Sequence, residues 1–307
     1  MKTIRIGHLP TIYHTSIILM GTDWINKNIG ISVNWQLFGT GLPVIQAFEK
    51  GEIDLAYMGL PPVIIGIDRG LHIKCIAGGH VEGSVFVADK DFRRLNQNTD
   101  VNEVLIQFKG KTIGTTQKGS MHDVIIRYYI EKVGLEDSVA VKNYPWGDLI
   151  VEAMAKGEID AAVGPPALAV VTEHAFGAKI AIPPYMLWPN NPGYGIVAEE
   201  GFIKDNPEII ERFLKLHEYA SNFIRTDPIS AAKIASRVVG VVDERFVLDT
   251  YKISPKYCAS ISKDYIESTM AFVPVLHRLG YISKILTPQD IFDLQYIRKT
   301  HSDPPHY

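Results

Sequence analysis

KGEIDLAYMGLPP (residues 50–62) and KGEIDAAVGPP (residues 156–166) share their first five letters, Lys50 to Asp54 and Lys156 to Asp160, 106 positions apart. Each copy reads the same way. A helix ends at a glycine that can take left-handed backbone, Gly51 or Gly157. A short apolar run follows, IDLAYMG or IDAAVG, with the hydrophobic density of a strand covered on both faces. A Gly-Pro corner then opens the next helix, where proline is well placed.

Outward from these two stretches the same order of elements recurs. In the first copy, IRIG (4–7) is a strand, an apolar stripe from Ile17 to Trp24 has helical spacing as far as Gly30, and ISVNWQLF (31–38) alternates like a strand. GTGLP (39–43) turns into the helix VIQAFEKG. In the second copy, KTIG (111–114), the helix of GSMHDVIIRYYIEKVG, SVAVKNYP, DLIVEAMAKG, IDAAVG and PPALAVVTEHAFG repeat that series. Two βαβαβα runs imply parallel strands with right-handed crossovers in each half. The expected fold is therefore α/β, with two similar lobes of mixed, mainly parallel sheet joined by a two-strand hinge. GGHVEGSVFVADKD (78–91) leaves the first lobe and NNPGYGIVAEEGF (190–202) returns to it. The expected division is residues 1–85 plus 198–307 for lobe one and 86–197 for lobe two. The helical patterns after Pro207 complete lobe one and brace the hinge, and the tail HSDPPHY (301–307) reads as disordered.

A chain of 307 residues exceeds one typical core, which agrees with two lobes. Its net charge of −3 argues against nucleic acid as a partner, since phosphate binding wants a basic surface. Cys75 and Cys258 stand far apart in apolar surroundings and read as buried free thiols. No apolar run reaches the roughly 18 residues that span a bilayer. Met1-Lys2-Thr3 leads straight into a core strand rather than a signal peptide. That fits a cytoplasmic protein, or a periplasmic or extracellular, membrane-tethered one read from its mature start.

IRIGHLP, GTGLPVIQAFEKGEIDLAYMGLPPVI, KGKTIGTTQKGSMHDVIIRYYIEKVGL and KGEIDAAVGPP together resemble the type II periplasmic-binding-protein fold. The branch is that of aliphatic sulfonate, taurine, nitrate and thiamine-pyrimidine binding proteins of ABC importers, and the resemblance covers about residues 4–225. It implies a small-molecule ligand trapped between the lobes, a transporter permease as partner if the protein is exported, a monomer, and no catalysis. Contacts would come from Thr11, Tyr13, His14 and Thr15 after the first strand, the turn Gly39-Thr40-Gly41, and the corner at Gly59 and Pro61. Lobe two would add Gly119, Ser120, Met121, His122, Trp146, Gly164 and Pro165, with Tyr194 at the hinge.

The residues themselves agree on where an anion would go. Asp54 and Asp160 flank turns at the N-terminal strand edges, whereas open parallel sheets bind ligands at the opposite ends, where the Gly-Pro corners fall. Gly119-Ser120 opens a helix, whose free N–H groups and dipole attract an anion, although Ser120 can equally be a plain N-cap. The 39–41 turn offers a second helix start. His8, His14, His80 and His122 lie near strand ends or helix starts, but no two have i, i+4 spacing and no carboxylates accompany them, so neither metal nor cofactor is expected. Trp35 reads as core, Trp146 as a cleft wall, and Trp188 as packing near the hinge. No arginine falls in a cleft loop, which tilts the ligand toward a sulfonate-like or weakly charged group. Two enzyme branches also resemble this fold, thiamine-pyrimidine synthases and menaquinone-pathway enzymes. Two scattered cysteines depart from the cysteine-rich motif of the first, although Tyr13-His14-Thr15-Ser16 echoes its N-terminal loop. A cytosolic ligand sensor is a further alternative.

Overall fold

The computed structural model describes residues 3–96, 99–301 and 304–307. Ten strands are present: β1 (Thr3–His8), β2 (Ser32–Leu37), β3 (Leu55–Met58), β4 (Ile73–Val81), β5 (Val85–Ala88), β6 (Thr112–Thr116), β7 (Ala140–Tyr144), β8 (Ala161–Gly164), β9 (Lys179–Ile182) and β10 (Pro192–Glu199). The helices are α1 (Thr15–Met20), α2 (Trp24–Ile29), α3 (Gly41–Glu49), α4 (Leu60–Asp68), α5 (Val101–Ile106), α6 (Met121–Lys132), α7 (Gly147–Ala155) and α8 (Pro166–Phe176). After β10 come α9 (Glu200–Asp205), α10 (Pro207–Thr226), α11 (Pro228–Val239), α12 (Glu244–Ile253), α13 (Lys263–Arg278), α14 (Pro288–Ile291) and α15 (Ile297–Thr300).

The strands form two five-stranded sheets, ordered β2-β1-β3-β10-β4 and β7-β6-β8-β5-β9. In each, three parallel strands come from one βαβαβα run, and a strand reached by crossing from the other half inserts antiparallel. The two connections between β4 and β5 and between β9 and β10 are the hinge. β10 lies in the first sheet from Pro192 onward, so the expected division at 197/198 falls inside that strand.

The repeated turn does the same structural work twice. Gly51 and Gly157 hold φ of 65° and 68°. The Glu52 N–H donates to the Ala47 carbonyl, and the Glu158 N–H to that of Ala153. Asp54 accepts the Arg5 N–H at 2.7 Å while its own N–H returns to the Arg5 carbonyl. Asp160 makes the identical pair with Thr112. Each aspartate thus clamps the start of one strand onto its neighbour, at the end of the sheet away from the cleft.

The stripe from Ile17 to Gly30 is two short helices rather than one, broken at Gly21. A Cβ there would stand 2.4 Å from Ile234, so α11 packs directly on the break. The C-terminal helices do more than complete the first lobe: α12 packs on α8, and α13 on α6, both helices of the second half. Trp188 stacks face to face on Phe272 of α13, ring centroids 4.2 Å apart, which fixes one hinge connection to that helix. The described part of the tail is ordered against the body, contrary to the disorder expected there. His301 and His306 lie beside Cys258, and Tyr307 packs on the core. Both cysteines are buried and unpaired by disulfides.

Candidate functional site

The cleft is built where the strand ends of the two sheets face each other. Gly39, in the turn before α3, lies against the Pro145 carbonyl and the Trp146 indole, which open α7. A Cβ on Gly39 would stand 2.9 Å from both. Gly41 and Gly147, the first residues of α3 and α7, are 106 positions apart, so this contact joins equivalent corners of the two repeats. Beside it the Thr40 hydroxyl donates to the Gln117 side-chain carbonyl. Gly59 approaches Met121, with 3.7 Å from its would-be Cβ to the methionine Cβ. The lobes are closed on one another.

Polar bridges also cross between the lobes. The Tyr281 hydroxyl donates to Asp123 at 2.7 Å, and Arg278 makes a bidentate pair with Glu131 at 2.6 and 2.8 Å. Asp123 is fully buried and well supplied with donors: the Gly119 N–H, the Arg127 guanidinium and the Asn143 amide besides Tyr281. These contacts satisfy a buried carboxylate that would otherwise be costly. Ser120 is a true N-cap, its oxygen accepting the Asp123 N–H at 3.2 Å and lying 2.7 Å from the Thr116 hydroxyl.

The hinge side of the cleft is an aromatic and imidazole cluster. The chain after β1 carries Thr11, half-buried, and then buries Tyr13, His14 and Thr15. The His14 ring stacks at a tilt on Tyr194, centroids 4.0 Å apart, and the Tyr13 ring packs between those of His14 and His80. Tyr194 fits because Gly79 of β4 has no side chain; a Cβ there would fall 2.0 Å from the tyrosine ring. His122 faces the same hinge, with Nδ1 3.3 Å from Thr116 and Nε2 3.4 Å from the Gly83 carbonyl.

Protons in this cluster can be placed from the hydrogen bonds. His217 Nε2–H donates to the Gly78 carbonyl at 2.7 Å, which leaves Nδ1 to accept from the Thr15 hydroxyl at 2.8 Å. The Tyr194 hydroxyl donates to Thr15 Oγ1, and its oxygen accepts the Thr15 N–H, both at 3.1 Å. Likewise His80 Nε2–H donates to the Ser254 carbonyl at 2.7 Å, leaving Nδ1 as a buried acceptor with no partner among the described residues. His14 Nδ1 and the Ser84 hydroxyl are also buried without partners among the described residues. Desolvation is the main cause that pushes His80 and His217 down to about 4, partly opposed by their carbonyl hydrogen bonds. It pushes His14 well below the ordinary 6.5, with nearby imidazoles adding to the effect. The cluster therefore offers neutral rings and free acceptors at neutral pH, not cations. Positive potential comes instead from the starts of α3, α6 and α7.

The expected site residues thus fall into groups. Gly39, Thr40, Gly59, Met121 and Trp146 meet across the cleft; Gly119 and Ser120 form the α6 start beside them. Tyr13, His14, Thr15, His122 and Tyr194 gather at the hinge, where the Thr15 and Tyr194 hydroxyls are already committed to each other. Gly41 and Pro61 pack within lobe one, Gly41 against Pro62, while Gly164 pairs with Val85 and Pro165 caps α8. Trp35 is half-buried, edge-on to His8 rather than fully core. Sequence reading missed Gln117, Asp123, His217 and Tyr281. Gln117 precedes the KGSMHD stretch and Asp123 ends it, so both could have been found; His217 and Tyr281 reach the site only through the tertiary fold.

The NMT1-like family model matches residues 1–239. The chain belongs to the NMT1-like family. A candidate binding protein of Brucella abortus (strain 2308) is 24% identical over 250 residues, covering 78% of this chain and 72% of the relative. A 4-amino-5-hydroxymethyl-2-methylpyrimidine phosphate synthase of Saccharomyces cerevisiae, THI13, is 23% identical over 247 residues, covering 75% and 69%. Among solved structures, the alkanesulfonate-binding protein SsuA of Xanthomonas axonopodis pv. citri bound to MOPS superposes with a TM-score of 0.77. It covers 95% of this chain and 98% of its own at 15% identity. This NMT1-like chain has the type II periplasmic-binding-protein fold, with the sheet order described above. No helix among the described residues is long and apolar enough to cross a membrane.

Proposed function

We propose that the protein is the solute-binding component of an ABC importer, trapping a small anionic, sulfonate-like molecule between its lobes. The observation that carries this reading is the closed cleft. Equivalent helix starts of the two repeats abut at Gly39 and Trp146, while buried polar atoms at His14, His80 and Ser84 stand without partners near the hinge. A ligand that touches both lobes favours the closed state, because only there does it make both sets of contacts. The Met121 and His122 N–H groups at the start of α6, those of Gly119, Ser120 and Asp123 being engaged within the turn, hold the anion, and Tyr13, His14 and Trp146 wall it. The SsuA likeness supports this reading, in which a permease is the partner and the periplasm or cell surface the place of work. The lobe division falls at the hinge, before β5 and at the start of β10, in place of the expected 85/86 and 197/198.

A second reading is supported by the yeast relative: a pyrimidine ligand, or pyrimidine synthesis. Neutral imidazoles with free acceptor nitrogens suit the amino group of such a ring. A thermal-shift panel of alkanesulfonates, taurine, nitrate, carboxylates, thiamine pyrimidines and pyridoxal phosphate separates the two. A ligand at about 100 times its dissociation constant stabilises by about 2.7 kcal/mol, which is on the order of 5 °C for a chain of this size. A shift with a sulfonate and none with pyrimidines supports the first reading. The reverse result overturns it in favour of the second.

A further inference from the structure

Cys258 and the C-terminal tail meet beside the hinge end of β4. Cys258 Sγ lies 3.2 Å from His301 Nε2 and 3.3 Å from His306 Nδ1, and these two nitrogens are 3.2 Å apart. Three ligating atoms thus form a nearly equilateral triangle, contributed by one residue before α13 and two beyond α15. A tetrahedral ion bound at roughly 2.0–2.1 Å to nitrogen and 2.3 Å to sulfur has ligand–ligand edges of about 3.3–3.6 Å. The triangle matches that shape to within a few tenths of an ångström.

We propose that Cys258, His301 and His306 form a site for a borderline-soft divalent cation of the zinc class. Thiolate with two imidazoles selects such ions over magnesium or calcium, which take oxygen ligands. The fourth position is open to water or to Glu218, whose Oε1 lies 3.9 Å from His306 Nδ1. Glu218 is itself held by the Ala259 N–H and Arg225, so its carboxylate is already placed on the Nδ1 side of His306. The site is structural in consequence. The Cys258 N–H donates to the Gly79 carbonyl, and Tyr257 bridges to His80, so Cys258 belongs to the segment lining the β4 edge. A bound ion staples the chain end onto that edge. This assignment is independent of the ligand cleft and stands or falls without it.

The test uses the full chain, stripped with a chelator and dialysed against Zn²⁺, with Co²⁺ as a spectroscopic substitute. The expected result is one Zn²⁺ retained per chain, a thiolate-to-cobalt charge-transfer band in the near ultraviolet, and a higher melting temperature with metal than without. H301Q and H306Q should lose the retained metal and the metal-dependent melting shift. His306 is exposed enough that its variant will fold even if Cys258→Ser, in a buried position, does not. Zn²⁺ retained at the same stoichiometry in both histidine variants, or a cobalt spectrum with no thiolate band, would overturn the assignment.

Discussion

Replacing Gly39 by alanine tests whether the closed contact is what holds ligand. The new methyl would meet the Pro145 carbonyl and the Trp146 ring at 2.9 Å, closer than ordinary van der Waals contact. Trp146 is 42% exposed and can swing aside; the Pro145 carbonyl is backbone and moves only if α7 or the whole lobe moves. Overpacking of this kind costs about 1–3 kcal/mol. Here that cost falls on the closed state alone, because in an open molecule the two corners no longer touch. Apparent affinity should then drop by about 5-fold to about 150-fold, while urea stability of the ligand-free protein changes little. Calorimetry with the ligand found in the thermal-shift panel measures the first quantity, and small-angle scattering should show a larger radius with ligand present. Unchanged affinity, or a loss of stability equal to the loss of binding, would refute the reasoning.

Other substitutions probe the cleft, the hinge network and the repeat separately. Trp146→Ala should weaken binding without loss of fold, since the indole touches the other lobe only across the cleft; equal affinity in calorimetry would exclude it as a wall. His217→Phe removes the acceptor of the Thr15 hydroxyl and the donor to Gly78, and should cost about 2–4 kcal/mol in urea unfolding, the penalty of stranded buried groups. Asp54→Ala and Asp160→Ala should each cost about 1–3 kcal/mol of stability and leave ligand affinity unchanged, because both clamp strands at the far end of their sheets. Acid should also unfold the protein early. His80 and His217 are held near 4 when folded against 6.5 when not, so the unfolded chain binds more protons and stability falls as pH drops through that window. At about pH 5 each contributes a loss of about 2 kcal/mol relative to neutral pH, and urea midpoints at the two pH values check it.

The repeat was legible because its chemistry is local. A glycine closing a helix, an aspartate clamping the next strand and a proline after the strand are all visible within about a dozen residues, and the parallel sheets follow from their order. The contacts that close the cleft were legible only in part. Gly39 and Trp146 could each be named from their turns, yet nothing in either turn says that one meets the other. His217, more than two hundred positions from Thr15, was beyond any local pattern. The break at Gly21 was missed because the apolar spacing on either side continues through it, and only α11 packing there explains the glycine. The tail misled for a similar reason: HSDPPHY is polar and proline-rich, and its two histidines gain meaning only from a cysteine more than forty positions earlier.

The hydrogen-bond chain Tyr194–Thr15–His217–Gly78 joins the loop after β1 to β10 and β4, the strands that lead into the hinge. Changing the wall of the cleft on that side therefore also changes how freely the halves swing. The facing wall, at Trp146, has no hydrogen bond to that network among the described residues. The exposed Trp146 indole of lobe two can therefore be altered without touching that network, but only at the expense of the Gly39 contact that closes the cleft.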